Sequence, residues 1–563
     1  YSSHHNKYVI WGQRIDPTTG NKVGTKELIG HTGYLSDASS DSFKPDVTYN
    51  STTNEYLVVW RGEDNDDGYI DDEFEIYGRV IDADMNWETN VFRISQMGGA
   101  GNEENEVGPP AVTYNAANNE YLVVWSGEDL LYIDGERHDI FGQRISAAGT
   151  EIGANDFTIG TNDHRTFTQF EYDVDVTYNT TSNEYLVIWQ GRDSVKVGST
   201  DMAIFGQRLT GTTASPTGIN DFQISEPDYV TDPCVAFNSN NNQYLVAWGA
   251  TRANYPGVHE WESEIWGQRL ASNGNEIGTN DFRISFMGID SNFYFTAGWP
   301  SITFNSNESE YMVTWSGDNT LGIDYGISER EIYAQRIQAS SGNLIGTSPL
   351  RVSDMGPNLD EAYGATSNAL AYSPAQGHYL SVWTGDDNTA PQTDNELEIW
   401  GQLIVNCQPP VALCQNTTMN LPLDGQKGLD GDDIDAGSYS NCGDLTLQLS
   451  PNTFDCGSLG DNTVSLTATD AEGTEVFCTA TVTVILDEAD TIAPVAICQP
   501  QTEFLNGNSV TLTGETFAQF SSDNCGIDSY MASPSLFTCA DIGQNAITVT
   551  VSDKSGNSDT CST

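Results

Sequence analysis

Carboxylates are the side chains of this sequence with the clearest potential for chemistry, since 80 acidic residues face only 22 Lys and Arg. Several are gathered in loops that combine Gly with Asp. Such oxygen-rich turns are what Ca²⁺ coordination uses. The candidate ligands are Asp64, Asp66, Asp71 and Asp72 in one loop, and Asp430, Asp432, Asp433 and Asp435 in another. The alternative is a solvated acidic surface, because the first loop lacks the Glu that closes an EF-hand loop. We expect no cofactor other than Ca²⁺.

The net charge of −58 limits the partners of the chain. Such a surface repels phosphate backbones and anionic lipids, which excludes nucleic acid and membrane surfaces as expected partners. No apolar run approaches the roughly 20 residues needed to cross a bilayer, so we expect no membrane insertion.

Aromatic residues suggest a second kind of site. One loop is rich in them, and exposed rings beside carboxylates suit contact with a glycan or a protein. The candidate contact residues are Phe293, Tyr294 and Trp299. The alternative is that these rings pack as a plug at the end of the fold.

Enzymatic motifs are missing from the sequence. It has no Ser-x-Asp-x-Gly-x-x-Trp box, no His-based metal motif and no nucleophile elbow. A glycosidase needs two carboxylates about one sugar site, and here the carboxylates are too numerous to single out a pair. The sequence therefore favours a protein that is not an enzyme, with a secreted propeller glycosidase as the less favoured alternative.

A repeated strand-like motif, first seen at residues 54–60, must position these groups. It ends in Trp and is rich in Tyr, Leu and Val, the residue types that fill a half-buried pleated surface. The closing residues are Trp60, Trp125, Trp189, Trp248, Trp315 and Trp383, so successive copies lie 59 to 68 residues apart. A near-constant period of this size indicates a repeat architecture.

Each repeat contains four strand-like pieces, termed A, B, C and D, of which B is the Trp motif. Four antiparallel strands in each of six repeats predict a β-propeller over residues 1–406, with the A strands lining its axis. A solenoid needs shorter coils, and a single four-stranded sheet cannot bury both faces alone. We favour six blades, with the N-terminal D-like piece completing the last blade. Seven blades is the alternative, because piece C also occurs at residues 10–15.

A Gln-Arg pair recurs in piece C. The positions are Gln13-Arg14, Gln143-Arg144, Gln207-Arg208, Gln268-Arg269 and Gln335-Arg336. The arginines could form an anion-binding ring. Because carboxylates are so abundant, we favour pairing of each Arg with acidic residues of its own blade or the next.

Cysteines divide the chain, since residues 1–406 contain only Cys234 and the remainder contains nine. Steps of 28, 14 and 22 from Cys414 are followed by 27, 14 and 22 from Cys498, which indicates two tandem disulfide-bonded modules in an oxidising, extracellular setting. Zinc is a weaker explanation of the cysteine spacing, because no CxxC pair exists.

Alternating Val, Thr and Leu segments predict two immunoglobulin-like sandwiches, at residues 407–490 and 491–563. We predict the disulfides Cys414–Cys478, Cys442–Cys456, Cys498–Cys561 and Cys525–Cys539, with Cys234 a buried thiol in its strand.

The C-terminal modules resemble a known family. The motifs are Ala-x-Cys-Gln at the start, Asp-Asn-Cys-Gly, Phe-x-Cys and the closing Cys-Thr-Ala-Thr-Val-Thr-Val, over about residues 408–563. They look like the HYR-type (hyalin-repeat) modules of giant secreted adhesins of Bacteroidota-type bacteria. The resemblance implies surface export, often by type IX secretion, and a role in adhesion. The first module departs from it at Ser440, where Asp is usual, which puts any metal role there in doubt.

The sequence thus predicts a secreted, extracellular surface adhesin or fibre subunit, with a propeller head on a disulfide-bonded stalk. Its expected partners are a cell-surface protein or glycan, or further copies of itself in a homo-oligomer or fibre. A purely structural fibre subunit is the alternative.

The second module stops before the equivalent of residues 479–484, and the chain begins inside a propeller repeat. We therefore expect it to be part of a longer polypeptide, with the second module incomplete at its C-terminus.

Overall fold

A computed structural model gives the fold of most of the chain. The residues that it describes are 8–31, 42–63, 74–97, 107–128, 138–160, 173–192, 202–251, 262–287, 296–318, 330–355, 364–386, 397–405, 410–422, 426–440, 445–470, 473–486 and 490–563. They belong to two compact units, Tyr1–Val405 and Asn406–Thr563. Within the described ranges both units are built from β-strands, with one short α-helix. None of the described helices is long and apolar enough to cross a membrane.

Seven antiparallel sheets make up the described part of the first unit. Their strands are β1 (Ile10–Ile15) and β2 (Lys22–Gly30); β3 (Ser42–Asn50), β4 (Glu55–Glu63), β5 (Phe74–Asp82) and β6 (Phe92–Arg93); β7 (Ala111–Asn115), β8 (Glu120–Glu128), β9 (His138–Ser146) and β10 (Glu151–Gly160); β11 (Val174–Asn179), β12 (Glu184–Gly191), β13 (Ala203–Thr210) and β14 (Pro216–Gln223); β15 (Tyr229–Asn238), β16 (Gln243–Thr251), β17 (Ser263–Ala271) and β18 (Glu276–Arg283); β19 (Ala297–Asn305), β20 (Glu310–Asp318), β21 (Arg330–Gln338) and β22 (Leu344–Arg351); and β23 (Gly364–Ser373), β24 (His378–Asp386) and β25 (Glu398–Val405). Five sheets have four strands in sequential order, the first has two and the last has three.

The predicted pieces A, B, C and D correspond to these strands, and the all-β class is confirmed. The A strands of successive sheets contact one another, from β3 through β7, β11, β15 and β19 to β23. They are termed the innermost strands. The six-blade arrangement required β2 to lie beside β25 in the last sheet. That prediction is wrong, because among the described strands β2 pairs only with β1 and forms a sheet of its own.

The β1–β2 hairpin contacts both the first four-stranded sheet and the last sheet. On one side, Arg14 binds Asp84 at 2.6 Å. On the other side, the Pro17 carbonyl lies 3.3 Å from Nδ1 of His378, and Gly20 packs against the Leu403 side chain. The hairpin therefore contacts the β3–β6 sheet on one side and the β23–β25 sheet on the other.

The Trp residues of the B strands fill the space between neighbouring sheets. Trp60 and Trp189 are almost fully buried. Each ring lies against a Gly at the end of the preceding sheet, where an added Cβ on Gly30 or Gly160 would fall 2.5 or 2.6 Å from ring atoms. The B strands are buried on both faces because every sheet covers its neighbour, which is why they form continuous apolar runs.

A buried hydrogen bond links the A strand of one sheet to the B strand of the next. In each case an Asn amide donates to a Tyr hydroxyl, at 2.8 to 3.1 Å. The pairs are Asn50–Tyr121, Asn115–Tyr185, Asn179–Tyr244 and Asn305–Tyr379. The same Asn oxygen accepts backbone N–H groups of the turn that follows it, as at Asn179. This side chain therefore fixes both a turn and the packing of the next sheet.

Three of the five recurring arginines of piece C pair with an acidic residue of their own sheet, as predicted. Arg144 binds Glu120 at 2.6 Å, and Arg208 binds Glu184 at 2.5 Å. Arg336 binds Glu310 in the same way, at 3.0 Å. Arg14 binds Asp84 of the next sheet, whereas Arg269 donates to the Gln243 side chain and the Ser340 carbonyl. These contacts within the fold argue against an anion-binding ring.

The second unit contains two tandem β modules. The strands of the first are β26 (Thr417–Leu421), β27 (Gln426–Gly428), β28 (Thr446–Ser450), β29 (Thr453–Asp455), β30 (Gly460–Thr469) and β31 (Glu475–Leu486). The second contains β32 (Ser509–Thr511), α1 (Gly514–Ala518), β33 (Ile527–Ser533), β34 (Leu536–Thr538), β35 (Thr548–Asp553) and β36 (Ser558–Ser562). The first module has a four-stranded sheet, β26-β31-β30-β28, opposite the pair β27-β29, and the second has β33-β35-β36 opposite β32-β34.

Disulfides close each module and join the two. Cys414–Cys478 and Cys498–Cys561 are present, as predicted. The pairings Cys442–Cys456 and Cys525–Cys539 are wrong, because Cys456 is bonded to Cys525. The turn after β29 meets the segment before β33, a contact between modules that spacing within one module does not predict. Cys539 is an exposed free thiol, Cys234 is free and half-buried in β15, and Cys407 and Cys442 lie outside the described residues.

Candidate active site at the inner ends of three sheets

Four of the innermost strands carry a β-bulge near their first residues. The register shifts between Phe43 and Asp46 in β3, between Thr231 and Cys234 in β15, and at the same place in β19 and β23. One residue of each bulge has a left-handed backbone, with φ of 51° to 53°. These residues are Lys44, Asp232, Trp299 and Ser367. Bulges redirect side chains, and a bulky residue held at positive φ is a strained arrangement that clusters at functional sites.

The bulges bring residues that are distant in sequence close together. The Trp299 backbone N–H and the positive charge of Lys44 both lower the pKa of the Asp232 carboxyl. Burial nevertheless dominates and raises the pKa of Asp232 above its ordinary 3.8, against the lowering effects of Thr231, Trp299 and Lys44. Asp232 therefore keeps a proton to higher pH than an exposed aspartate does.

A cavity of about 470 Å³ opens beside Asp232. Its lining residues are Asp173, Gln190, Arg192, Met202, Tyr229, Val230, Thr231, Asp232, Ser263, Thr296, Ala297, Gly298, Trp299 and Arg330. They come from the three consecutive sheets β11–β14, β15–β18 and β19–β22. Strands A and C begin at this end of each antiparallel sheet and strand B ends there, so short stretches from several strands meet at one place.

Asp173 and Arg192 flank the first of these sheets. Asp173 immediately precedes β11, and Arg192 immediately follows β12. The Gln190 N–H donates to the Asp173 carbonyl at 3.3 Å, which continues the ladder to the rim of the cavity. A second carboxylate and a guanidinium therefore line the same cavity as Asp232.

Arg330 adds a positive charge to the lining of the cavity. Its Nη2 donates to Thr296 Oγ1 at 2.6 Å, and its guanidinium lies 5.0 Å from the centre of the Trp299 ring. Its Nη1 is buried and has no hydrogen-bond partner. Burial lowers the pKa of Arg330, although the guanidinium remains charged at neutral pH because arginine titrates so far above it. An oriented donor without a partner can bind an anionic or carbonyl oxygen of a ligand.

One predicted contact residue lies in this cavity. Trp299 lines it and is 42% exposed, which leaves part of its ring open to a ligand. The other two aromatic candidates, Phe293 and Tyr294, lie outside the described residues.

The predicted metal ligands fall into two groups, of which only the second is described by the structure. Asp64, Asp66, Asp71 and Asp72 are outside the described residues. In the first C-terminal module, Asp433 accepts the Asp430 N–H at 2.9 Å, and Asp435 accepts the N–H groups of Gly437 and Ser438. No three of Asp430, Asp432, Asp433 and Asp435 form a group with metal-ligand geometry among the described residues.

Sequence reasoning missed Asp232, Asp173, Arg192 and Arg330. A signal was present at Asp232, because the residue before the first Pro of piece A is Lys44, Asp232 or Trp299 in three of the repeats. This dipeptide marks the bulge. The other three residues follow no repeated pattern, and only the meeting of three sheets brings them together.

Comparisons with known proteins found similar solved structures. No family model matches the chain, and no curated protein matches it. A Penicillium chrysogenum α-L-arabinanase is 11% identical, covering 64% of this chain and 93% of its own, with a TM-score of 0.38. The NanB sialidase of Streptococcus pneumoniae is 9% identical over 66% of this chain and 69% of its own, with a TM-score of 0.36. An N-acetylgalactosamine deacetylase from F. plautii is 12% identical over 53% and 88%, with a TM-score of 0.31.

These neighbours are propeller-like proteins, and their similarity to this chain concerns the fold alone. Each is named as an enzyme, as are two family-43 glycoside hydrolases that also match. These names differ from two predictions, that the chain is not an enzyme and that it is a surface adhesin or fibre subunit, and neither prediction is retained.

Proposed function

We propose that the first unit is a glycoside hydrolase and that the cavity beside Asp232 is its active site. The observation that carries this proposal is the lining of one cavity by a carboxyl of raised pKa, a second carboxylate, an arginine N–H without a partner and an open aromatic face. Glycoside hydrolysis needs a carboxylic acid to protonate the leaving oxygen and a carboxylate to act on the opposite side of the sugar. Asp232 and Asp173 supply these two groups.

The roles follow from the environments of the two carboxyls. Asp232 is the general acid, because burial keeps it protonated to higher pH. It gives its proton to the glycosidic oxygen as the bond from that oxygen to the anomeric carbon breaks. Asp173 is the second carboxylate, which either attacks the anomeric carbon or takes a proton from the attacking water. Retention or inversion at the anomeric carbon distinguishes these two roles.

The substrate class follows from Trp299 and Arg330. The exposed part of the Trp299 ring offers an apolar face for a sugar ring. Arg330 has a buried Nη1 that lacks a partner, and Arg192 adds a second guanidinium to the lining. Guanidinium groups bind carboxylates through paired, charge-assisted hydrogen bonds. We therefore propose an acidic saccharide as the substrate.

For the architecture, we propose a closed ring of seven sheet positions. It is supported by the β1–β2 hairpin, which contacts Asp84 on one side and His378 and Leu403 on the other.

For the second unit, we propose two immunoglobulin-like sandwiches of HYR type that are exported from the cell. The support is the pairing of opposed sheets in each module and three disulfides, which persist in oxidising compartments.

The test is hydrolysis of chromogenic glycosides and of polysaccharides, with neutral, uronic and sialic residues in the panel. We expect the parent to hydrolyse an acidic member. We expect Asp232→Asn to lower kcat/KM by about 10²- to 10⁴-fold, the usual contribution of a positioned general acid. Asp46→Asn is the matched control, because Asp46 is also an inner-strand aspartate beside a bulge but does not line the cavity. It should leave kcat/KM unchanged.

Two further measurements test the assigned roles, namely the pH dependence of the rate and the KM of an Arg330 variant. The parent's rate should fall as pH rises through the raised pKa of Asp232, and this limb should be absent in Asp232→Asn. Arg330→Gln should raise KM for the acidic substrate and leave neutral glycosides unaffected. A parent that hydrolyses no member of the panel, or an Asp232→Asn variant as active as the parent, refutes the proposal.

A further inference from the structure

Three aspartates meet in the second unit, away from the cavity of the first. Asp490, Asp523 and Asp553 each place a carboxylate oxygen within 4.8 Å of the other two. Asp490 and Asp553 are buried, with 4% and 3% exposure, and Asp523 is half-buried. No other group of three His, Cys, Asp or Glu residues with this geometry occurs in the described part of the chain.

The hydrogen bonds of this cluster leave two oxygens without a partner. Asp490 Oδ1 accepts the Ile492 N–H at 3.0 Å, whereas its Oδ2 is buried and accepts no hydrogen bond. Asp523 Oδ2 accepts the Cys525 N–H at 2.7 Å, whereas its Oδ1 is likewise buried and unpartnered. Buried carboxylate oxygens are almost always paired. Among the described residues, none of the three aspartates forms an ion pair with Lys or Arg. No described side chain therefore supplies a positive charge to balance these carboxylates.

The third carboxylate is held firmly in place. Asp553 Oδ1 accepts the N–H groups of Ser555 and Asn557, both at 2.8 Å. The Asn557 amide donates to Asp553 Oδ2 at 2.8 Å and to the Asp490 carbonyl at 2.7 Å. Asn557 therefore positions two of the three aspartates, as groups behind metal ligands commonly do.

We propose that Asp490, Asp523 and Asp553 bind one Ca²⁺ ion. The donor atoms of the three aspartates are all oxygens, which selects a hard cation rather than a thiolate- or imidazole-bound metal. Ca²⁺ tolerates irregular arrangements of carboxylates and carbonyls, whereas Mg²⁺ demands a near-ideal octahedron. The proposal is independent of the activity assigned to the first unit.

The position of the site indicates its effect. Asp490 lies four residues after β31 ends at Leu486, on the segment that connects the two modules. Cys525, two residues after Asp523, carries the disulfide to Cys456 of the first module. The ion would tie the connecting segment to the body of the second module, beside the covalent link between them.

The first module provides an internal comparison. Ser440 precedes its Asn-Cys-Gly motif, where Asp523 stands in the second module, and Asp470 matches Asp553. Asp490, eight residues before Cys498, corresponds to Asn406, eight residues before Cys414, so two carboxylates of the set are replaced in the first module. A Ser at the position of Asp523 occurs in a folded module, which makes Asp523→Ser a suitable variant.

The experiment compares the parent chain with Asp523→Ser after removal of metal by EDTA. Calcium is returned, and the bound ions are counted by calorimetry and by elemental analysis after dialysis. We expect the variant to bind one Ca²⁺ fewer per chain, or to bind that ion at least tenfold more weakly. Asp432→Ser, which removes an exposed carboxylate of the first module, is the control and should bind as the parent does.

Limited proteolysis of the parent provides a measurement that requires no variant. Ca²⁺ should slow cleavage in the segment between Leu486 and Asp490, and equal concentrations of Mg²⁺ should not. The proposal is overturned if Asp523→Ser retains the full number and affinity of ions, if Mg²⁺ binds as tightly as Ca²⁺, or if Ca²⁺ leaves cleavage of this segment unchanged.

Discussion

Asp175→Asn should stabilise the first unit at pH 8 and have little effect at pH 4. Asp175 lies in the inner strand β11, where its two oxygens accept the N–H groups of Val176 and Val235, both at 2.7 Å. Burial, with a contribution from the charge of Asp46, raises its pKa to about 7, from an ordinary 3.8. The inner strands thus hold a carboxylate in surroundings that disfavour its charge.

The magnitude follows from the difference between the folded and unfolded pKa. Because the folded pKa is the higher one, the stabilising contribution of this carboxyl is fully present below pH 3.8 and is lost as pH rises through about 7. A shift of this size corresponds to about 4 kcal/mol as an upper bound, reduced by the solvent that reaches the half-buried group. The Asn amide can accept only one of the two N–H groups, which costs about 1 kcal/mol. We therefore expect a net gain of about 1–3 kcal/mol at pH 8.

Chemical denaturation of parent and variant at both pH values measures this gain. At pH 4 the Asp175 carboxyl is protonated and also accepts only one N–H, so parent and variant should differ little. Asp84→Asn is the control, because the Asp84 side chain is 74% exposed and its change should show no comparable pH dependence. The reasoning fails if Asp175→Asn is no more stable than the parent at pH 8, or if its gain is the same at pH 4.

Two further predictions concern packing and covalent structure. Tyr244→Phe removes the hydroxyl that Asn179 binds between neighbouring sheets, and should lower the free energy of unfolding by about 0.5–1.5 kcal/mol; an unchanged midpoint in urea would show that this bond contributes nothing. Peptide mapping without reductant should recover Cys456 linked to Cys525 and should find Cys539 alkylated as a free thiol; recovery of Cys525 linked to Cys539 would contradict the structure.

Local patterns in the sequence predicted the strands and their repetition. The run from Glu55 to Trp60 predicts a buried strand by itself, because its apolar content is independent of where the neighbouring sheet lies. The pairs Cys414–Cys478 and Cys498–Cys561 followed from matched spacing within each module. That Arg144 pairs with an acidic residue of its own or the next sheet followed from composition, since carboxylates greatly outnumber cations, whereas its partner Glu120 came from the structure.

Tertiary structure alone decided which residues meet. Asp173, Asp232 and Arg330 come from three sheets, and a period of about 60 residues says nothing about which members of three repeats line one cavity. The number of sheets depended on whether β2 pairs with β1 or with β25, and the sequence of β2 alone does not specify its partner strand. The disulfide from Cys456 to Cys525 and the cluster at Asp490 both depend on how two modules meet. Sequence periodicity reports the surroundings of each strand, whereas a site depends on contacts between strands that are far apart in the chain.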